Sequence, residues 1–365
     1  MGAPLSLELK MAAIALVIAL AMTYLLRLPT KASRDPTPLH VPRIGGFSII
    51  TAFLLAPALL SIFSGSMRHF MSDDWGKFLA LGCCGGAIFI AGARDDFRDL
   101  GWRTKFLIQF AAAIVLYISG YHVGELTLPG GSTVGLGLLD PVVTVMWLVL
   151  ITNAMNLIDG RDGVAAGISA LVSATMAYVA WDLGHDLISL MFAALAGASL
   201  GFVPFNLPNA RRWLGDSGAY FLGFTIGALS IAGFVDTTGR VPLYIPLVAL
   251  GLPVLDASLA FLRRFLDARH PFLADQDHMH DRVARMFGLS PLSLAFATYA
   301  LTAIFCGAAL LLHLWYKSVG SAVVGGVVVV FALALLAVLG YIDSMWNSVR
   351  VLGLRGHRQA RNEIS

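Results

Sequence analysis

The chain has 365 residues, of which 58% are hydrophobic and 13% are charged, and its formal net charge is +3. Soluble domains carry about 25% charged residues and about 45–50% apolar ones, and a single soluble core stops growing near about 250–300 residues. The composition therefore excludes a cytosolic globular enzyme, a disordered chain and a secreted disulfide scaffold. It predicts an all-α fold, a polytopic bundle of helices embedded in a membrane.

Runs of about 20 mostly apolar residues, the length that a helix needs to cross a bilayer, occur eleven times along the chain. They cover residues 10–26, 45–64, 78–94, 105–121, 136–153, 163–181, 187–205, 217–235, 241–262, 292–314 and 320–342. Because the runs are continuously apolar rather than alternating, an outer-membrane β-barrel is excluded. No small-x-small cleavage site follows the first run, so we expect a retained helix there and not a signal peptide. The sequence predicts one membrane domain over residues 1–365, with about eleven transmembrane helices.

Lysine and arginine are unevenly divided between the two sets of loops that these spans define. Twenty of the 25 fall on one side, and the other side holds Lys10, Arg68, Lys77, Arg240 and Lys317. Since short cytoplasmic loops carry the excess of positive charge, we expect an external N-terminus and a cytoplasmic C-terminus. The net positive charge is then explained by the basic residues of the cytoplasmic loops. It does not indicate a nucleic-acid partner, and we expect none.

The predicted cytoplasmic loop after span three contains adjacent acids. Asp95 and Asp96 fall at the C-terminal end of a helix, where the macrodipole disfavours each anion by about 0.3–1 kcal/mol. A carboxylate pair in such a place favours a role in binding a divalent cation or as a base. The alternative is a solvated acidic pair that Arg94 and Arg98 neutralise.

The loop between spans five and six is rich in amides and acids. Asn153 and Asn156 lie one helical turn apart, so that both can face the same cavity. Asp159 and Asp162 each precede a glycine, which is a turn signal, and Asp162 is also placed to cap the following helix. An ordinary helix–turn–helix connection explains the glycines and one acid, but not two asparagines at the end of a membrane span.

Two further segments hold polar residues at predicted span ends. Asp216 precedes span eight, where an acid suits a helix cap, an anion-binding helix start or a Mg²⁺ ligand that works together with substrate phosphates. In the long loop at 263–291, His278 and His280 have no third ligand at a spacing suited to Zn²⁺. We therefore expect phosphate contacts there, with a plain surface loop as the alternative. Asp256, inside span nine, has either a functional role or a partner on a neighbouring helix.

Together these segments resemble the polyprenyl-phosphate N-acetylhexosamine-1-phosphate transferases, which include bacterial enzymes that start O-antigen and teichoic acid linkage synthesis. The matching segments occur in order over most of the chain. They are Pro42-Arg43-Ile44-Gly45-Gly46, Asp95-Asp96 with Lys105, Asn153-Ala-Met-Asn156-x-x-Asp159-Gly-x-Asp162-Gly, Gly215-Asp216-x-Gly218 and Asp275-x-x-His278-x-His280. Eleven spans are also similar to the sugar-phosphate branch of this family.

The resemblance implies a role for each matching residue around a Mg²⁺ ion, with Mn²⁺ as an alternative. Asn156 and Asp216 would be the metal ligands, and Asp95, Asp96 and Asp159 the catalytic acids. The predicted substrate-binding residues are Lys105 and Asn153, Asp162 at the uracil, and His278, His280 and Arg282 at the phosphates.

The implied reaction transfers an N-acetylhexosamine 1-phosphate, first of all GlcNAc 1-phosphate, from a UDP-sugar to undecaprenyl phosphate and releases UMP. We expect it to initiate O-antigen or another surface polysaccharide at the cytoplasmic face of a bacterial inner membrane, in loops 94–105, 153–163, 206–217 and 263–291. UDP-FucNAc or UDP-QuiNAc are alternative donors. Asp281 departs from the H-x-H-H pattern of close relatives, which leaves the sugar open. The chain also lacks the Pro-Met-His-His-His type motif, which argues against a muramyl-pentapeptide donor.

Other function classes fit less well. A lipid-linked-sugar flippase should carry polar residues at mid-membrane, whereas the polar residues here end at the predicted cytoplasmic rim. A non-catalytic scaffold leaves the Asn and Asp sets unexplained. The sequence leaves open whether the transfer is direct or passes through an aspartyl-phosphate, and whether the protein is a homodimer.

Overall fold

The computed structural model describes residues 6–26, 43–98, 100–128, 131–207, 210–232, 242–266, 278–316 and 318–341. These ranges are mainly helical, which confirms the all-α prediction. The helices are α1 (Ser6–Leu25), α2 (Gly45–Phe63), α3 (Gly65–Asp73), α4 (Trp75–Phe97), α5 (Trp102–Ile118), α6 (Asp140–Ile158), α7 (Val164–Asp182), α8 (Asp186–Asn206), α9 (Gly215–Ala232), α10 (Tyr244–Ala249), α11 (Gly251–Leu266), α12 (Met279–Phe287), α13 (Pro291–Leu314) and α14 (Val319–Val338).

The sequence analysis did not predict three small elements, the helices α3 and α12 and an antiparallel hairpin between α5 and α6. The hairpin consists of β1 (Glu125–Thr127) and β2 (Thr133–Gly135), with Leu126 opposite Val134. Elements this short leave no mark on a hydropathy window the length of a membrane span.

Eight helical segments among the described residues are long and apolar enough to cross a membrane: α1, α2, α4, α6 with the 3-10 turn before it, α7, α8, α13 and α14. A multi-pass membrane protein is thereby confirmed. The other three predicted spans coincide with α5, which has 17 residues, with α9, which has 18, and with the α10–α11 pair, which is interrupted at Leu250. The count of eleven and the orientation of the termini stay predictions.

Helix α9 lies at the centre of the bundle, and α14 lies at its edge. Every residue from Ser217 to Ile231 is buried, and α9 packs against α2, α4 and α6. In α14, only Ser321 and Val324 are buried. Because lipid tails are as apolar as leucine side chains, an exposed valine-rich surface such as that of α14 is stable in a bilayer.

Glycines bring the helices close together near the predicted site. A Cβ added at Gly92 of α4 would lie 2.5 Å from the Cα of Ser217 in α9. One added at Gly46 of α2 would lie 2.5 Å from the backbone nitrogen of Gly218. The amide of Gly46 also donates to the carbonyl of Leu214 at 3.0 Å. These contacts place the end of α4 and the start of α2 directly against the start of α9.

Candidate active site

The carboxylate of Asp96, in the last turn of α4, caps the start of α9. Its two oxygens accept the backbone N–H groups of Asp216 at 2.9 Å and Ser217 at 3.1 Å. The first amides of a helix have no partner within it and carry partial positive charge. The dipole of α4 disfavours the negative charge of Asp96, which lies at the C-terminal end of that helix. The N-terminal end of α9 stabilises the same charge.

The same contacts bear on one of the explanations offered for Asp216, the helix cap. The sequence suggested that the Asp216 side chain caps the helix that follows it. In the structure the side chain of Asp96 caps that helix, α9, because it accepts the backbone N–H groups of Asp216 and Ser217. Gly215 permits the close approach, since its φ is +76° and an added Cβ would lie 2.6 Å from Asp96 Oδ2. The Asp216 carboxylate is left to face other side chains.

Lys105, from the first turn of α5, lies between two carboxylates. Its Nζ forms an ion pair with Asp95 Oδ2 and lies 3.7 Å from Asp216 Oδ2. The other oxygen of Asp95 accepts the backbone N–H of Leu100 at 2.7 Å. Asp95, Lys105 and Asp216 therefore form one cluster, contributed by α4, α5 and α9.

The two asparagines of α6 have different surroundings, although the sequence predicted a shared cavity. Asn156 Nδ2 donates to Asp216 Oδ1 at 3.2 Å and so joins the cluster. Asn153 Nδ2 donates to Gln109 Oε1 of α5 at 2.6 Å and to the carbonyl of Val149 at 2.8 Å. Asn153 therefore links α6 to α5, and its predicted substrate contact stays a prediction. Sequence reasoning missed the buried Gln109, whose signal was a lone amide within an apolar span.

The acids of the cluster exceed the positive charge around them. Burial, followed by the charges of Asp216 and Asp96, raises the pKa of Asp159 well above the ordinary carboxyl value. Asp216 lies just before predicted span eight. Burial and a hydrogen bond with Asp95 raise the pKa of its carboxyl group, the nearby charge of Lys105 lowers it, and the resulting pKa is about 7. Carboxylates that resist ionisation mark a place where additional positive charge is stabilised.

The donor set fits a divalent cation that is held by few protein ligands. Within the described ranges, no three His, Cys, Asp or Glu side chains are grouped to hold a metal ion. Mg²⁺ commonly takes only one or two protein carboxylates and completes its shell with water and substrate phosphates. The adjacent Asp216 carboxylate and Asn156 amide, in a cluster short of positive charge, match this pattern.

The turn after α6 is tied to the segment that precedes α9. Asp162 Oδ2 accepts the backbone N–H of Ala210 at 3.0 Å, and the amide of Gly163 donates to Asn206 Oδ1 at 2.7 Å. Helix α7 begins after Gly163 with no side-chain cap. The suggestion that Asp162 caps this helix is therefore wrong, and its contact with uracil stays a prediction.

The histidines at the start of α12 pack against this turn. The rings of His278 and His280 stack with centroids 5.5 Å apart, and an added Cβ on Gly160 would lie 3.1 Å from His280 Nε2. His280 Nδ1 is buried without a hydrogen-bond partner among the described residues. Burial lowers the pKa of His280. Asp275 of the same motif lies outside the described residues.

Asp281, the residue that departs from the family pattern, forms an ion pair with Arg161. Arg161 Nε donates to Asp281 Oδ1 at 3.0 Å, so the arginine that contacts the histidine segment comes from the turn after α6. Arg282 donates to the carbonyl of Leu339 at 3.0 Å and lies 3.9 Å from the ring centroid of Tyr341, and its predicted phosphate contact stays a prediction. No local pattern could have indicated the Arg161–Asp281 pair, since 120 residues separate the two.

Comparison with known proteins agrees with these motifs. The model of glycosyl transferase family 4 matches residues 78–234. A probable undecaprenyl-phosphate N-acetylglucosaminyl 1-phosphate transferase of Bacillus subtilis is 32% identical over 273 residues, which cover 74% of this chain and 73% of that protein. A decaprenyl-phosphate N-acetylglucosaminephosphotransferase of Mycolicibacterium smegmatis is 32% identical, over 69% of this chain and 67% of that protein.

A relative with another donor in its name also matches. A phospho-N-acetylmuramoyl-pentapeptide-transferase of Listeria monocytogenes is 32% identical, over 52% of this chain and 60% of that protein. The relatives differ in the lipid and the sugar that their names give, but each name describes the transfer of a phosphosugar. By its coverage of the Bacillus relative and its match to the family, the chain belongs to glycosyl transferase family 4, as a polyprenyl-phosphate hexosamine-1-phosphate transferase.

Proposed function

We propose that the protein transfers GlcNAc 1-phosphate from UDP-GlcNAc to undecaprenyl phosphate in a bacterial inner membrane. This would be the initiating step of O-antigen or another surface polysaccharide. The names of the Bacillus and Mycolicibacterium relatives support N-acetylglucosamine as the sugar. UDP-FucNAc and UDP-QuiNAc stay as alternative donors for the same reaction.

One observation carries this proposal: a polar cluster built from four different helices at one end of a mostly apolar bundle. Asp95, Lys105, Asn156 and Asp216 come from α4, α5, α6 and α9, and the contacts described above join them. A scaffold has no need to gather like charges in this way, because their mutual repulsion destabilises the fold. A transferase that handles two phosphate-bearing substrates does need such a charged site.

In the proposed reaction, an oxygen of the lipid phosphate attacks the β-phosphorus of the UDP-sugar. The new P–O bond forms as the bond between the β-phosphorus and the bridging oxygen breaks, and UMP leaves with that oxygen. The products are polyprenyl-diphosphate-sugar and UMP. Phosphoryl transfer of this kind depends chiefly on positioning and on stabilising the charge of the group in transfer.

The residues of the cluster would divide these tasks among themselves. Asn156 and Asp216 would hold Mg²⁺, which when bound neutralises part of the charge on the diphosphate. Lys105 would turn from its carboxylate partners to a phosphate oxygen. Without such positive groups, two phosphates brought together would repel each other strongly.

The hydrogen bonds of the acidic pair favour direct attack over an aspartyl-phosphate. Both oxygens of Asp96 accept backbone N–H groups, and Oδ1 of Asp95 accepts the backbone N–H of Leu100. A carboxylate held in this way is a poor nucleophile, since attack would break its bonds. Trapping a labelled phospho-enzyme from UDP-GlcNAc that carries ³²P at the β-phosphate would contradict direct transfer.

The experiment that tests the proposal is an assay of UMP release. Purified protein is incubated with Mg²⁺, undecaprenyl phosphate and, in parallel, UDP-GlcNAc, UDP-FucNAc, UDP-QuiNAc or UDP-MurNAc-pentapeptide. We expect UMP with UDP-GlcNAc, and only when the lipid phosphate is present. Release with another of these donors alone would replace the sugar but keep the reaction, and release with none would overturn the proposal.

A further inference from the structure

Asp256 of α11 is fully buried, and both of its carboxylate oxygens bind one short stretch of chain. Oδ2 lies 2.8 Å from His278 Nδ1, and Oδ1 accepts the backbone N–H of Met279 at 2.6 Å. The partner that the sequence left open for this acid is therefore the start of α12. Burial of an acid is costly unless its oxygens are bonded in this way.

The contact bears on which nitrogen of His278 carries a proton. An ionised carboxylate accepts but does not donate, so that with Asp256 ionised Nδ1 is the protonated nitrogen at a separation of 2.8 Å. An acid that bonds one ring nitrogen sets both the tautomer and the orientation of the imidazole. The same arrangement directs the opposite nitrogen of the ring away from Asp256.

A continuous set of contacts leads from Asp256 to the turn that follows α6. The His278 ring lies parallel to that of His280, with an interplanar angle of 6°. His280 in turn packs on Gly160, the residue after Asp159. A change at Asp256 would therefore alter the position of the two rings next to the acidic cluster.

We propose that Asp256 is a positioning residue for the transfer reaction. It holds His278 in one tautomer and one orientation, so that the stacked histidines face the substrate phosphates, and it touches no substrate itself. This inference rests on the proposed function. A purely structural role, in which Asp256 only anchors α12 through the Met279 amide, is the explanation to be separated from it.

Asp256→Asn separates the two roles because it changes few atoms. The amide oxygen still accepts the Met279 N–H, while the amide nitrogen now donates toward His278 Nδ1 and imposes the other tautomer. We expect kcat for UMP release to fall on the order of 10- to 100-fold, as when an acidic partner that orients a histidine is lost elsewhere. The thermal unfolding midpoint should stay close to that of the unchanged protein.

A double-mutant cycle with His278→Gln tests whether Asp256 acts through the histidine. If it does, Asp256→Asn causes no further loss in a His278→Gln background. Losses in kcat that multiply, or an unchanged kcat in Asp256→Asn alone, would overturn the proposal. The matched control is Asp182→Asn. Asp182 also bonds a histidine, with Oδ2 at 2.9 Å from His313 Nε2, but lies at the other end of α7 from Gly163, and we expect its kcat to be unchanged.

A spectroscopic measurement keeps this inference distinct from the proposed function. In protein labelled with ¹⁵N-histidine, the His278 signals are those lost in His278→Gln, and their shifts show which ring nitrogen is protonated. We expect a protonated Nδ1 in the unchanged protein and an unprotonated Nδ1 in Asp256→Asn. An unprotonated Nδ1 in the unchanged protein would refute the role of Asp256 whatever the assay shows. Absence of UMP release together with the expected shifts would refute the proposed function alone.

Discussion

The carboxylate of Asp96 accepts the backbone N–H of Asp216 at 2.9 Å, so one member of the acidic pair on α4 holds the acid of α9 in place. The two neighbouring acids of α4 thus have different partners, since Asp95 binds Lys105 and Leu100. This division of contacts leads to different predictions for residues that a sequence motif treats alike.

Replacing Asp96 should affect both stability and activity. Asp96→Ala removes the cap of α9, and loss of a helix cap costs about 1 kcal/mol of the free energy of unfolding. It also releases the backbone of Asp216, so we expect UMP release to fall strongly. Unfolding in mixed detergent and SDS micelles measures the first effect. The paired variant Asp216→Ala keeps both amide contacts, and a loss of stability as large as that of Asp96→Ala would contradict the capping role.

Any side chain at position 215 should destabilise the protein. In Gly215→Ala, the φ of +76° is unfavourable by about 1–2 kcal/mol, and the new Cβ would lie 2.6 Å from Asp96 Oδ2. We therefore expect a lower free energy of unfolding and weaker UMP release. Gly326→Ala in α14 is the control, because an added Cβ there has no neighbour within 4 Å. Equal stability of Gly215→Ala and the unchanged protein would show that the contact with Asp96 is not tight.

His280 should make the protein sensitive to acid. Because burial lowers its pKa in the folded state, the unfolded chain binds the proton more readily. This residue therefore costs stability as the pH falls below the ordinary histidine value of about 6.5, and the cost is absent at higher pH. We expect His280→Gln to lose less stability than the unchanged protein between about pH 7 and pH 5. Parallel unfolding curves for the two proteins over that range would contradict this.

The Arg161–Asp281 ion pair should couple two loops in the assay. Arg161→Gln and Asp281→Asn each break the same contact, so their effects on kcat/KM should not multiply in the double variant. Residues in one network commonly show a coupling of about 0.5–3 kcal/mol, and we expect at least about 0.5 kcal/mol here. Fully multiplicative losses would mean that the pair has no part in holding the histidine segment on the turn after α6.

Hydropathy predicted the helices well because membrane insertion depends on the summed apolar character of a window. Hydropathy does not predict where a span is interrupted. The run 241–262 is broken at Leu250, and the cause is local: Pro253, three residues on, has no N–H to continue the helix.

Some features of the candidate site could be predicted from the sequence, and others could not. Motif order correctly placed Asp95, Lys105, Asn156 and Asp216 together, since each lies at a span end on one side of the predicted topology. Pairings between distant segments could not be predicted. The roles of Arg161 and Arg282 depend on where Asp281 and Tyr341 lie in the folded chain, and no spacing along the chain encodes that.

The central claim, that Asp216 and its neighbours form the centre of a metal-dependent transfer of sugar phosphate, is tested most directly by UMP release from UDP-GlcNAc and undecaprenyl phosphate. The assay compares the unchanged protein with Asp216→Ala and Asp182→Asn, each with Mg²⁺ and with a chelator. We predict that the unchanged protein and Asp182→Asn release UMP when Mg²⁺ is present and not when the chelator is. For Asp216→Ala we predict a near-complete loss of UMP release in both conditions. Full release by Asp216→Ala, or release that the chelator leaves unaffected, would contradict the claim.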